Sequence, residues 1–175
     1  PAEMLEVLAC ALDVHQQSAG AFDPCVGGLV NAWGFGAQSD APDAQAIRMT
    51  RQSQPSAARA CWELDSIAGK VRKRAPLQLD LCGIAKGFAV DRMAHVLQEH
   101  GVRHALAGLD GELRAVGAQS SGASWSVALE SPEFDRRAVR GVIELADLAV
   151  ATSGDYRRRP EIGGARRAPT MDPRR

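Results

Sequence analysis

Leucines alternate with polar residues along residues 77–81, which is the period of a half-buried strand. At Gly83 the pattern changes to helical spacing, which continues to Gly101, a typical C-terminal cap. The apolar residues predicted to share one side of this helix are Ile84, Phe88, Ala89, Met93, Val96 and Leu97. The sequence therefore predicts a strand, a tight turn at a glycine, and a long amphipathic helix.

The same periods predict the other elements of the chain. Helical spacing favours a helix from residue 2 to about 18 and a short surface helix at 43–51. The predicted strands are residues 62–65, 69–74, 104–109, 112–116, 124–129 and 139–145, with a hairpin turn at Asp110 and Gly111. Because meanders of strands alternate with helices, the predicted fold class is α+β with a mainly antiparallel sheet, in a single domain over residues 1–175.

Composition and charge narrow the class of protein. The 21 Lys and Arg residues balance the 21 Asp and Glu residues, so no overall field attracts nucleic acid, and no nucleic-acid partner is expected. No apolar run reaches membrane-spanning length, and no signal peptide is visible. The widely spaced cysteines predict buried thiols rather than a zinc site or a disulfide framework. These are Cys10, Cys25, Cys61 and Cys82.

The glycine turn before the long helix is a candidate anion site. The first N–H groups of a helix have no partner within it, and the helix dipole adds about half a positive charge there. Lys86 adds a full charge in the first turn, so a diphosphate is a natural ligand. The alternative is that Gly83 and Gly87 only allow the helix to pack closely against the strand.

Three other positions offer polar groups, each with a structural alternative. Asp23 can accept hydrogen bonds from a ligand, although capping the short helix that Pro24 opens is favoured from the sequence. Thr152 follows a short apolar strand, where its hydroxyl binds either a phosphate or the turn's own backbone. Asp172, before Pro173, either ligates a hard cation such as Mg²⁺ or starts a turn.

Three stretches together resemble the motifs of the ApbE family, the FAD:protein FMN transferases. Residues 21–36, AFDPCVGGLVNAWGFG, are similar to the first motif. Residues 79–91, LDLCGIAKGFAVD, are similar to the second and are followed by LDGELR at 109–114. Residues 149–156, AVATSGDY, are similar to the third. The order and approximate spacing of these motifs match over nearly the whole chain.

The resemblance implies a T-fold-like α+β domain with FAD as substrate and Mg²⁺ as cofactor. Family enzymes cleave FAD at its diphosphate and transfer FMN to a Thr or Ser hydroxyl of a target protein. The implied targets are flavin-carrying subunits of membrane redox complexes. The implied location is the periplasm or the outer side of the cytoplasmic membrane, held there by a lipid anchor.

The resemblance also assigns roles to five positions of this sequence. Asp23 is implied to contact the flavin nucleotide, Phe88 to line the FAD site, and Thr152 to lie at the ligand. The main-chain carbonyl of Ala85 and the carboxylate of Asp172 are implied as Mg²⁺ ligands.

The terminal motif departs from the family pattern. Pro169 stands at the approximate position of a family His that assists the acceptor hydroxyl. The family's following Thr-Gly, whose hydroxyl helps complete the metal shell, is absent, because this sequence ends at Arg174 and Arg175. The alternative function is therefore a flavin-nucleotide-binding module, or an inactive truncated remnant, whose Mg²⁺-dependent binding of FAD is weak. The chain begins at Pro1 rather than Met and ends within the terminal motif, so we also expect both of its natural ends to be missing, including the family's N-terminal portion.

Overall fold

The computed structural model of the chain contains two compact units. The first comprises Pro1–Cys82 with Pro160–Arg175, and the second comprises Gly83–Arg159. The structure describes residues 1–36, 41–53, 62–65, 67–133, 136–154, 161–162, 165–166, 168 and 170–173, with the backbone alone at 161–162 and 165–166. The expectation of a single domain over residues 1–175 stays a prediction.

The first unit combines helices with short antiparallel hairpins. Its helices are α1 (Ala2–Gln17), a 3₁₀ turn (Pro24–Val26), α2 (Gly27–Ala32) and α3 (Ala44–Ser53). Its strands are β1 (Trp62–Asp65), β2 (Lys70–Lys73), β8 (Glu161–Ile162) and β9 (Ala165–Arg166). The helices predicted at 2–18 and 43–51 and the strands predicted at 62–65 and 69–74 are confirmed.

The hydrophobic core of the first unit forms between α1, the 3₁₀ turn and β1. Leu8, Cys25 and Trp62 are buried together, and Leu12, Leu77 and Leu81 pack against them. Among the cysteines, Cys25 is buried as predicted, whereas Cys10 and Cys82 are exposed, so the expectation of buried thiols is wrong for those two. Cys61 lies outside the described residues.

The prediction of a regular strand at residues 77–81 is wrong. This segment instead bonds through its backbone to the 3₁₀ turn and to the start of α2. Asp80 N donates to Pro24 O at 2.8 Å, and Gly27 N donates to Gln78 O at 3.1 Å. Because a helical turn cannot continue a β ladder, residues 77–81 do not form a strand. Leu79, which was expected to be buried on one side of that strand, is 39% exposed.

The second unit packs one helix against an antiparallel sheet. Its elements are α4 (Ala85–Glu99), β3 (Ala105–Leu109), β4 (Glu112–Val116), β5 (Trp125–Glu130), β6 (Val139–Leu145) and β7 (Ala149–Val150). One sheet has the strand order β3-β4-β7, and β5 pairs with β6 in another. Every strand pair in the described part of the chain is antiparallel, as predicted.

Left-handed backbone conformations mark the predicted turns of the second unit. Asp110 and Gly111 have φ values of 49° and 99°, which is the geometry of a two-residue hairpin turn between β3 and β4. Gly101, with φ of 81°, follows the end of α4. Both predictions of glycine-dependent turns are confirmed.

The predicted apolar side of α4 is only partly correct. Val90 and Ala94 are buried at 2% and 3% exposure, whereas Met93 and Val96 are 42% and 43% exposed. The helix packs on β3 and β4, where Lys86 and other polar side chains also pair with the sheet. The spacing of apolar residues does not predict these polar contacts, which also set the orientation of α4 on the sheet.

No helix among the described residues has the length and apolar character needed to cross a lipid bilayer.

Candidate functional site

Asp23 precedes the 3₁₀ turn and caps it. Its backbone is extended, with φ −134° and ψ 112°, because the following residue is Pro24. Its Oδ1 accepts a hydrogen bond from Cys25 N at 2.8 Å, so the predicted capping role is confirmed. No other hydrogen bond of this half-buried carboxylate is present in the described part of the chain, which leaves Oδ2 able to accept from a ligand.

A cavity of about 380 Å³ lies beside α2 in the same unit. Two aromatic side chains, one methionine and two aliphatic residues line it, together with polar groups from α3 and the terminal segment. The residues that matter chemically are Trp33, Phe35, Arg51, Thr170, Met171 and Asp172. The structure thus places Asp172, the predicted carboxylate ligand, in the wall of an aromatic cavity.

In the second unit, α4 begins at Ala85 without a side-chain cap. The N-cap residue is Ile84, which has no side-chain hydrogen bond to the helix start, while Phe88 N donates to Ile84 O at 3.1 Å. A β-carbon added at Gly87 would meet nothing within 4 Å, so the surface of the first turn is open there. This geometry suits the predicted anion site, where bare backbone faces the ligand.

Lys86 contributes less positive charge to this helix start than its sequence position indicates. Its Nζ lies 2.9 Å from Glu112 Oε1 and 3.8 Å from Asp110 Oδ2, and it donates to Asp110 O at 3.5 Å. Because one cation faces two carboxylates, these three side chains together carry a formal charge of −1. The lysine therefore ties α4 to the β3–β4 turn.

Glu112 was not predicted as a site residue. It is only 9% exposed, and its Oε2 is buried without a hydrogen-bond partner among the described residues. Its position directly after the Asp110-Gly111 turn signal is the one feature of the sequence that points to it. Lys86 is therefore the main partner of a nearly buried carboxylate.

Thr152 lies at the same hairpin turn. Its Oγ1 donates to Gly111 O at 3.5 Å, a long hydrogen bond, and the residue is exposed. A β-carbon at Gly111 would come 3.4 Å from this hydroxyl. The structure therefore shows the alternative in which the Thr152 hydroxyl bonds to the backbone of a turn. Because this bond is long and the residue is exposed, the hydroxyl remains accessible to a ligand.

The predicted site residues divide between the two units. Asp23 and Asp172 belong to the first, whereas Ala85, Thr152 and the half-buried Phe88 belong to the second. Their ligand-binding roles stay predictions. Pro169, Arg174 and Arg175 lie outside the described residues.

The predicted metal ligands supply hard oxygen donors. Within the described ranges no group of three or more His, Cys, Asp or Glu side chains is arranged to hold a metal ion. Mg²⁺ usually needs only one or two protein carboxylates, because waters and substrate phosphates complete its octahedron. The carboxylate of Asp172 and the carbonyl of Ala85 therefore fit Mg²⁺ by donor chemistry.

An ion pair whose pKa values are shifted lies outside this site, in the loop between β5 and β6. The hydrogen bond from Arg136 lowers the pKa of Glu133, and the same bond raises the pKa of Arg136. Both side chains are at the surface, so this pair belongs to the loop and not to the candidate site.

The fold and the motif residues define the class of the chain. The model of the ApbE family matches residues 1–175, and the chain belongs to this family. It is 36% identical over 175 residues to the FAD:protein FMN transferase of Vibrio cholerae, covering 98% of this chain and 51% of that protein. It is 32% identical to the FAD:protein FMN transferase of Salmonella typhimurium, covering 97% and 49%.

Solved structures show the same relationship. The flavin transferase ApbE from Vibrio cholerae aligns with a TM-score of 0.81 at 33% identity, over 98% of this chain and 54% of that one. The apo flavinyl transferase ApbE from Pseudomonas stutzeri aligns with a TM-score of 0.79 at 34% identity, over 99% and 53%. The predicted ApbE-type α+β fold is confirmed. The chain spans about half the length of the curated relatives it matches.

Proposed function

We propose that this chain is part of an FAD:protein FMN transferase. The observation that carries the proposal is the family match over the whole chain, with relatives of that name at 36% and 32% identity. The structure supports it through Asp23, which caps the 3₁₀ turn with Oδ1 while its Oδ2 can accept from a nucleotide, and through the start of α4, which has no side-chain cap. The substrate is FAD, and the reaction is phosphoryl transfer.

The chain's own residues would act mainly by binding and orienting FAD. Asp23 would accept hydrogen bonds from the flavin nucleotide, Phe88 would line the site, and Thr152 would offer its hydroxyl beside the β3–β4 turn. The backbone N–H groups at the start of α4 would face the diphosphate. Mg²⁺ would supply the charge neutralisation that phosphoryl transfer requires, and the family resemblance implies the carboxylate of Asp172 and the carbonyl of Ala85 as its ligands.

The reaction forms one bond and breaks one. The acceptor hydroxyl oxygen bonds to the FMN phosphorus, the P–O bond to the AMP half breaks, and the hydroxyl proton leaves to a base. The family's His is the expected base, but Pro169 stands near its position in this sequence. This substitution favours a second candidate function, a flavin-nucleotide-binding module without transfer activity.

The acceptor and the location follow from the family resemblance alone. The acceptor would be a flavin-carrying subunit of a membrane redox complex, modified on a Thr or Ser. The working location would be the periplasm or the outer side of the cytoplasmic membrane. A balanced net charge supports the expectation that nucleic acid is not a partner.

Calorimetry with FAD, in Mg²⁺ and in EDTA, tests the binding part of the proposal. We expect weak binding that strengthens with Mg²⁺, and Asp172→Ala should remove that dependence. Asp13→Asn, which alters an exposed carboxylate on α1, is the matched control. A tight, metal-independent complex would contradict the site described.

Mass spectrometry of an acceptor peptide incubated with the chain, FAD and Mg²⁺ then tests transfer. An FMN adduct on Thr or Ser supports the transferase. Binding of FAD without any adduct supports the binding module.

A further inference from the structure

The hairpin formed by β1 and β2 presents an aliphatic side chain at its tip. Ile67 lies in the turn between the two strands and is fully exposed. The turn is held in shape, because Asp65 Oδ1 accepts from Ile67 N at 3.1 Å and from Ala68 N at 2.8 Å. At the start of β1, Trp62 is buried in the core of the first unit. The exposure of Ile67 is therefore a fixed feature of an anchored hairpin.

The strand that follows the turn is strongly basic. Three exposed cations of β2 have no carboxylate within ion-pair distance in the described part of the chain, and they are Lys70, Arg72 and Lys73. Arg74, directly after the strand, pairs with Glu63 at 2.5 Å. Residues 62–74 hold four basic and two acidic residues, which gives a formal net charge of +2 within a chain whose net charge is zero. Positive charge is thus concentrated beside the exposed tip.

An anionic lipid surface matches this combination of groups. Its phosphates attract Lys and Arg side chains within a Debye length, which is about 10 Å at 0.1 M salt. An aliphatic side chain between the cations can enter the boundary of headgroups and acyl chains, while the long basic side chains reach back to the phosphates. An acidic protein surface would neutralise the cations but would leave Ile67 in water.

We infer that the β1–β2 hairpin docks on anionic lipid, with Ile67 at the headgroup boundary and the cations of β2 on the lipid phosphates. The inference goes beyond the proposed function, because neither FAD nor Mg²⁺ takes part in this contact. The contact is reversible, since one aliphatic side chain and a few charges give far less membrane affinity than a spanning helix.

Flotation of the full chain with lipid vesicles tests the inference. We expect binding to vesicles of mixed phosphatidylcholine and phosphatidylglycerol and little binding to pure phosphatidylcholine, because the attraction depends on anionic headgroups. Added salt should release the chain. The triple variant Lys70→Gln/Arg72→Gln/Lys73→Gln should weaken binding about fivefold for each charge removed. Ile67→Ser should weaken it about tenfold, because the apolar contact is lost.

Matched variants separate this surface from overall charge and hydrophobicity. Arg92→Gln/Arg103→Gln/Arg140→Gln removes three exposed arginines of the second unit and changes the net charge equally, and it should keep vesicle binding. Met49→Ser removes another exposed apolar side chain of the first unit, and it should also keep binding. In Ile67→Trp, brominated lipid should quench tryptophan emission beyond the quenching seen in the wild type.

Three results would overturn the inference. The first is a wild-type chain that does not bind the anionic vesicles. The second is equal weakening by the two triple variants, which would show a general effect of charge. The third is vesicle binding that is unchanged in Ile67→Ser together with binding of polyglutamate to the wild type, which would show that the hairpin recognises an acidic protein surface.

Discussion

At the scale of single residues, the Asp23 carboxylate combines a structural role seen in the structure with a proposed binding role. One oxygen accepts from Cys25 N at 2.8 Å and stabilises the start of the 3₁₀ turn. The other is the oxygen that we propose accepts a hydrogen bond from the nucleotide. Because Asn caps helices as well as Asp, the two roles separate by substitution.

We predict that Asp23→Ala lowers the free energy of unfolding by about 1 kcal/mol, through loss of the cap. Asp23→Asn should keep that stability and yet lose affinity for FAD, because the charged acceptor is gone. Urea unfolding and FAD titration of both variants check this. Equal FAD affinity in Asp23→Asn and the wild type would show that the carboxylate does not contact the nucleotide through its charge.

At the scale of elements, two glycines near the starts of helices have opposite packing environments. A β-carbon at Gly27 would lie 2.6 Å from Gln78 O and 2.8 Å from Leu79 C, both backbone atoms. A β-carbon at Gly87 would meet nothing within 4 Å. The first glycine allows the 75–82 segment to lie against α2, whereas the second makes no close packing contact and lowers the stability of its own helix.

We predict that Gly27→Ala lowers the free energy of unfolding by about 1–3 kcal/mol through overpacking. Gly87→Ala should raise it by about 0.5–1 kcal/mol, because alanine favours the helix interior. Chemical denaturation of the two variants measures both changes. A stable Gly27→Ala variant would mean that the 75–82 segment can move away from α2 at little cost.

The attachment of α4 to β4 depends on the Lys86–Glu112 pair, whose closest N–O distance is 2.9 Å. Lys86→Met leaves a nearly buried carboxylate without its main partner, and we expect a loss of about 1–3 kcal/mol in unfolding free energy. Adding Glu112→Leu should recover most of it, because a hydrophobic pair can replace a buried ion pair. A double-mutant cycle in urea shows the coupling, and strictly additive effects would contradict it.

At the scale of the whole molecule, binding of FAD should raise the free energy of unfolding of the chain. A ligand at 100 times its dissociation constant raises the unfolding free energy by about 2.7 kcal/mol when it binds only the folded chain. We therefore predict a concentration-dependent rise in Tm with FAD and Mg²⁺ and a smaller rise with FAD in EDTA. Thermal unfolding followed by circular dichroism checks it, with Asp172→Ala as the variant that should respond equally in both buffers.

Much of the architecture is predictable because local patterns and tertiary contacts agree. The Asp110-Gly111 turn and the Asp23-Pro24 cap need only their own residues, since the required backbone angles and the capping oxygen are local. The 77–81 segment fails as a strand because its partner is a helical turn distant in sequence. Glu112 and the Trp33 cavity depend on residues brought together by the fold, which no local spacing reveals.

By itself, the sequence determined the α+β class, nearly all of the helices and strands, and the three motifs that place the chain in its family. These features depend on short-range periodicity and on residue identity, both of which can be determined from the amino-acid sequence without a structure. Only the tertiary structure decided that Lys86 pairs with Glu112, that Val90 and Ala94 form the buried side of α4, and that Asp172 lines an aromatic cavity. The physical reason is that burial and ion pairing depend on which surfaces meet in space.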